Sequence, residues 1–305
     1  MARFEAIGAS PTAVVDRRLT RAGWDWRSWL VEACLLLSLF ITLGILAVLL
    51  TDIAVKAFPV FAERPLDFLT SPVSSRPARA GILQGILGST ILTTIVALLA
   101  LPLGIACGVY LEEYARASGV TGFIRTNIRN LAGVPSIVYG LLGLAVFVSL
   151  LRLTGALAGG LTLAVLVLPI VVITSSEALR AVPGSIREAA YGVGATRWET
   201  VRQHVLPYAA PGILTGTILS LARAFGETAP LLMVGAIAGT FSSTDPLAML
   251  TGPYTALPTM VYDFAGKPQE EFRALTAATI VVLLVVILLV NATAIILRNR
   301  YDRTW

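Results

Sequence analysis

Two charged residues, Arg223 and Glu227, stand inside an otherwise apolar stretch, 211–238, of this 305-residue sequence. Four-residue spacing puts both on one face of a helix, where they can partly neutralise each other. If the stretch crosses a bilayer, each charge near its centre costs roughly 2.5–3.5 kcal/mol on insertion scales. The pair must then face the protein interior or a watery cavity. A guanidinium offers forked donors that match the oxygens of an oxyanion. A carboxylate beside it can hold it in place, release it when an anion arrives, or accept a hydrogen bond from a protonated anion. The residue types leave those three roles of Glu227 open. The plain alternative is a charge pair that merely orients the helix, although an apolar pair would do that without the desolvation cost. The chemistry implied is passage of an anion, with no catalytic residue assigned.

The elements that must position the pair are membrane helices. Only 13% of the residues are charged and 56% are hydrophobic, whereas a water-facing surface needs roughly 25% charged residues. About 20 apolar residues span a bilayer core, and six windows qualify: 30–51, 82–111, 131–151, 159–176, 211–238 and 274–297. The chain is therefore expected to be an all-α, polytopic membrane protein with six transmembrane helices. Fifteen basic residues fall on the side of both termini and seven on the other, leaving Arg223. The positive-inside rule then puts both termini in the cytoplasm. The net charge of +5 reflects this bias and no nucleic-acid partner; the partner of the apolar surface is the lipid bilayer. Trp24, Trp26 and Trp29 read as an interfacial anchor before the first span. The outer loops 52–81 and 239–271 are Pro-rich and read as irregular.

Several features carry no chemistry. Cys34 and Cys107 lie within spans and behave as small apolar residues. His204 is the single histidine, and no metal site is expected. Glu177 and Arg180 read as solvated or interfacial, Pro135 and Pro169 as kinks. Gly104-xxx-Gly108 and Gly212-xxx-Gly216 permit close helix packing, but such spacings arise by chance in Gly-rich spans. No phosphate-cradling G-x-x-x-x-G-K-[ST] occurs, so ATP hydrolysis is not expected on this chain, which binds no cofactor of its own.

The cytoplasmic loop between the fourth and fifth spans is dense in helix punctuation. Ser185-Ile-Arg-Glu188 and Thr196-Arg-Trp-Glu199 both have the S/T-x-x-E form of a capping box. Gly194 between them reads as a helix-ending residue, and Pro207 as the end of the second helix. Trp198, Val201 and Val205 make an apolar stripe opposite Arg202 and Gln203. The prediction is two short helices at about 183–207, joined by a glycine elbow that inserts into another protein or lies on the membrane surface.

Glu188-Ala189-Ala190, three residues, Gly194, nine residues, then His204-Val205-Leu206-Pro207 resembles the EAA motif of ABC-importer permeases, with His204 where an aliphatic residue is usual. The resemblance implies a type I ABC-importer transmembrane domain in which Glu188, Ala189, Ala190, Gly194, Leu206 and Pro207 couple to a separate ATPase. The stretches 130–144 and 221–231, the latter holding Gly226-Glu-Thr-Ala-Pro-Leu231, are similar to phosphate-specific permeases of PstA type. They imply that Arg223 and Glu227 serve translocation. They further imply a PstC-type permease as heterodimer partner, a homodimeric ATP-binding subunit carrying ATP and Mg, and an extracytoplasmic phosphate-binding protein. The expected organisation is a cytoplasmic tail at 1–29, the first transmembrane helix and outer loop at 30–81, the importer core at 82–297, and a cytoplasmic tail at 298–305. A sulfate or molybdate permease is the competing cargo reading. A passive channel or a scaffold is the competing class, and an intramembrane enzyme would have only Arg223 and Glu227 to work with.

Overall fold

A computed structural model describes residues 26–236 and 243–301. Most of the expected tails, with Trp24, and residues 239–242 of the second outer loop therefore lie outside the described residues. Residue contacts divide the chain after Asp52. The first unit contributes the leading part of helix α1, Trp26–Glu63. The second unit, 53–305, holds every other element, and all regular structure among the described residues is helical. Among the described residues, five helices are long and apolar enough to cross a membrane, or six if one bent pair counts as a span.

Helix α1 runs past the expected end of the first span and carries Pro59 inside it. Packing explains the extension: Ala57 and Val60 of its last turns are buried in a cluster with Phe68. The following Pro-rich segment is pinned as well. Helix α2, Pro65–Thr70, follows Arg64, whose guanidinium donates to the Ala78 and Pro77 carbonyls at 2.5 and 2.6 Å. The Gln84 side chain accepts the Val73 N–H at 2.6 Å.

Helix α3, Leu83–Val109, continues through a π turn at Tyr110–Tyr114. Helix α4, Gly119–Ala132, begins on the Ser118 hydroxyl, which accepts the Thr121 N–H. Helix α5, Ser136–Gly143, continues in π turns over Leu144–Leu150. The runs Gly119–Ala132 and Ser136–Leu150 meet at 101°, so the window expected at 131–151 starts on a sharp bend. Pro135 is its cause, having no N–H for the Leu131 carbonyl one turn back. That carbonyl takes the Val134 N–H and the Tyr139 hydroxyl instead, at 3.0 and 2.8 Å.

Helix α6, Gly155–Arg180, is the centre of the second unit: 67% of its apolar window is covered, against 28% for the spans of α3 and α9. Both Gly-xxx-Gly motifs dock on it, α3 on one side and α9 (Leu206–Gly226) on another. A methyl on Gly104 would come within 2.6 Å of Val171, and one on Gly108 within 2.9 Å of Ser175. On Gly212 and Gly216 it would meet Ala178 and Thr174 at 2.9 and 2.4 Å. These spacings are used, not incidental. Between membrane helices contact drives association, since lipid is as apolar as the side chains. Hydroxyls are absorbed locally: Thr162 and Ser220 donate to carbonyls four residues back, both at 2.8 Å.

The remaining elements are α7 (Gly184–Gly192), α8 (Arg197–Thr200), α10 (Ala229–Met233), α11 (Pro246–Thr251), α12 (Leu257–Ala265) and α13 (Glu271–Tyr301). The second outer loop is thus largely helical where it is described. Pro246 and Pro258 stand in the first turns of α11 and α12, where a missing N–H costs nothing. Between them Tyr254 is buried, and that burial pushes its phenol pKa upward.

Candidate functional site

Arg223 stands in the last turn of α9 and Glu227 is the first residue beyond it, with an extended backbone (ψ 125°). The fifth span is therefore not one helix over 211–238. Pro230 breaks it: its nitrogen cannot donate to the Gly226 carbonyl four residues back, and its ring would collide there. The chain restarts as α10, with Pro230 in its first turn. Broken helices at membrane depth are tolerated where the backbone faces protein or a cavity. A cation in the last turn also complements the negative end of the helix dipole.

The expected pairing forms across the break. Arg223 Nε lies 3.4 Å from Glu227 Oε1, a longer contact than the 2.7–2.9 Å usual for charge-assisted bonds. Burial is lopsided, with the Glu227 side chain 16% exposed and Arg223 50% exposed. The guanidinium therefore keeps an open side while its counter-charge sits in the protein. It is not packed shut. Leu219, Arg223 and Gly226 share an exposed face of α9, and beneath it Ala224 and Phe225 are buried.

The elbow lies at the other end of the same helical run. Helix α7 ends in the hydrogen-bond pattern that glycine ends favour: Ala195 N–H donates to the Ala190 carbonyl and Gly194 N–H to Tyr191, both at 3.0 Å. Gly194 has φ +86°, a conformation that glycine adopts without strain. The Thr196–Glu199 capping box forms, with Thr196 N–H on the Glu199 carboxylate at 2.8 Å. The Ser185–Glu188 box does not. Pro183 holds the N-cap with no side-chain cap, so Ser185 is already inside the helix. Pro207 does not end the second arm either. A π turn at Val201–Val205, in which Leu206 N–H donates to the Val201 carbonyl, carries α8 into α9 and leaves Pro207 in the first turn of α9.

The structure separates the expected docking residues by face. Glu188, Ala189, Gly194 and Pro207 are exposed, Ala190 is buried, and Leu206 is half-buried against the aliphatic cluster that includes Leu179 and Val205. Val201 and Val205 are fully buried, but Trp198 is 57% exposed, so the expected apolar stripe splits. Trp198, Tyr191 (47%) and Val193 (85%) are the exposed large apolar side chains of the elbow. Tyr191 and Val193 are additions that the sequence did not single out. From Leu206 to Arg223 is 17 residues, or about 26 Å of helix at 1.5 Å per residue.

A second group was also missed. Glu112 and Glu113 are nearly buried at the end of α3 (9% and 5% exposed) and meet Arg125, Arg180 and Arg187. Arg180, expected to be solvated or interfacial, makes a forked contact with Glu112 at 2.9 and 3.0 Å. Arg197 of α8 also lies over the Tyr114 ring, 5.1 Å from its centre.

Residues 100–303 match the family model described as "Binding-protein-dependent transport system inner membrane component". The chain is 35% identical over 258 residues to "Phosphate transport system permease protein PstA" of Pasteurella multocida, covering 85% of this chain and 89% of that one. It is 37% identical over 245 residues to the protein of the same name from Xylella fastidiosa, covering 78% and 83%. In fold it is similar to a chain of a bacterial alginate ABC transporter solved with an alginate pentasaccharide-bound periplasmic protein. That match has a TM-score of 0.67 and 16% identity, over 91% of this chain and 96% of that one.

Proposed function

The chain belongs to the family of binding-protein-dependent transport system inner membrane components, among its PstA-type phosphate permeases, and from that we propose how its two ends divide the work. It is a permease subunit of an ATP-driven phosphate importer, with the fold of a type I ABC-importer transmembrane domain and several spans in the inner membrane. It works with other components of such an importer.

The exposed guanidinium of Arg223 receives phosphate in transit, and Glu227 neutralises it between passages. Half of the path is then supplied by this chain and half by a PstC-type permease against the Arg223 face. At the other end, the tip formed by Tyr191, Val193 and Trp198, with Glu188, Ala189 and Gly194 around it, docks on a homodimeric ATP-binding subunit. ATP and Mg belong to that subunit, and phosphate arrives on an extracytoplasmic binding protein. In this reading the elbow and both termini lie in the cytoplasm, which the basic residues around the elbow support through the positive-inside bias.

One observation carries this reading. A single helical run, Arg197–Gly226, has the apolar elbow at its start and a half-exposed arginine at its end. Lipid tolerates neither that arginine on its surface nor the polar backbone of the break beside it. The test is uptake by cells lacking this chain, with and without its return. Phosphate uptake should be restored and sulfate and molybdate uptake left unchanged. Restoration of another oxyanion would replace the cargo, and anion flux without the ATPase would replace the importer with a channel.

A further inference from the structure

The buried acids at the end of α3 lie outside that path, yet they hold much of what a docked motor would move. Glu113 accepts Arg187 of α7, the first arm of the elbow, with Nη2 at 2.6 Å and Nε at 3.3 Å from Oε1. The same guanidinium donates to the Val182 and Leu179 carbonyls at 2.9 and 3.0 Å. One side chain thus joins α7 to the ends of both α3 and α6. Its sequence neighbour Glu112 takes Arg125 of α4 at 2.5 Å and the fork of Arg180 from α6. Arg125 also donates to the Leu111 carbonyl.

A buried carboxylate is costly unless paired and hydrogen-bonded. Forked charge-assisted bonds are also directional: a shift that an apolar contact absorbs by repacking breaks them. The second arm of the elbow meets the protein through buried Val201, through Val205 in an aliphatic cluster, and through Arg197 over the Tyr114 ring. The first arm packs Ile186 against the same cluster and buries Ala190, and it adds a directional ionic tie, Arg187 on Glu113. We infer that the Glu113–Arg187 pair is the rigid link that carries displacement of the docking elbow into α3, and that Glu112, through Arg125 and Arg180, spreads it to α4 and α6. These are positioning residues, remote from phosphate and ATP. The inference rests on the docking reading above.

The test uses the whole importer, both permeases with ATPase and binding protein, in proteoliposomes, and reads phosphate imported per ATP hydrolysed. Glu113→Gln and Arg187→Gln should each assemble and hydrolyse ATP while that ratio falls about 2- to 30-fold, the range for substitutions along a coupling route. The double variant should fall no further than the singles, as for two ends of one interaction. Arg116→Gln, in the loop just beyond α3, should keep the wild-type ratio. An unchanged ratio in assembled single variants overturns the link, as does a loss confined to yield. If the singles do not assemble, Glu113→Leu with Arg187→Leu leaves no charge unpaired and decides the matter. A lowered ratio there supports the link and a wild-type ratio overturns it. If the wild-type chain fails to retain the ATPase, the docking reading falls first, before any substitution, and the link falls with it.

Discussion

At Arg223 the contact with Glu227 is long and engages Nε, and half of the arginine side chain stays exposed. Such a contact neutralises the arginine without satisfying it. An oxyanion can then take the free donors without first breaking a tight pair, and can leave again. Hydrogen bonds to charged groups are worth about 1.5–3 kcal/mol, so Arg223→Ala should lower phosphate uptake about 10- to 150-fold at normal complex levels. Arg223→Lys keeps the charge and loses the fork, and should fall between. Glu227→Gln should assemble normally and transport less than wild type. Labelled-phosphate uptake in membranes with matched complex content checks all three. Wild-type rates in both Arg223→Ala and Glu227→Gln would remove the pair from the path.

The elbow depends on the backbone more than on any side chain. Gly194 turns the chain at φ +86°, and a methyl there would meet nothing within 4 Å, so the cost of replacing it is conformational. A β-branched residue in that region costs roughly 1–2 kcal/mol. Gly194→Val should therefore re-aim α8 against α7 without unfolding the helices. The expected readout is ATP turnover that persists while import per ATP falls; full coupling in that variant would count against the docking role. This element was legible because its signals are local: a glycine between two S/T-x-x-E patterns, and Thr196 three before Glu199. The first capping box misled because Pro183 starts the helix two residues early, which leaves Ser185 helical. The Glu113–Arg187 and Glu112–Arg180 contacts were not legible. They join residues 74 and 68 positions apart, and only the packing of α3 on α6 brings them together. The break after Gly226 lay between the two: Pro230 was visible, but the unbroken hydropathy of 211–238 outweighed it.

For the molecule as a whole, the telling surface is the α9 face that bears Leu219 (66% exposed) and Arg223. On the function proposed above, this face is the one that the second permease covers. With Cys34 and Cys107 replaced by alanine, a cysteine at Leu219 should cross-link to that permease through a short bifunctional reagent. Labelling by a lipid-soluble probe instead would turn the face toward the bilayer. The elbow and the arginine belong to one helical run, yet they do not share one helical count. Between them lies the π turn at Val201–Val205, which holds one residue more than an α turn. Each residue of an α-helix rotates the chain by about 100°. The compass bearing of Arg223 about the α9 axis, relative to the elbow, is thus set by a single surplus residue. Losing it would swing the guanidinium roughly a quarter-turn relative to the elbow, with the side chains of Arg223 and Glu227 intact.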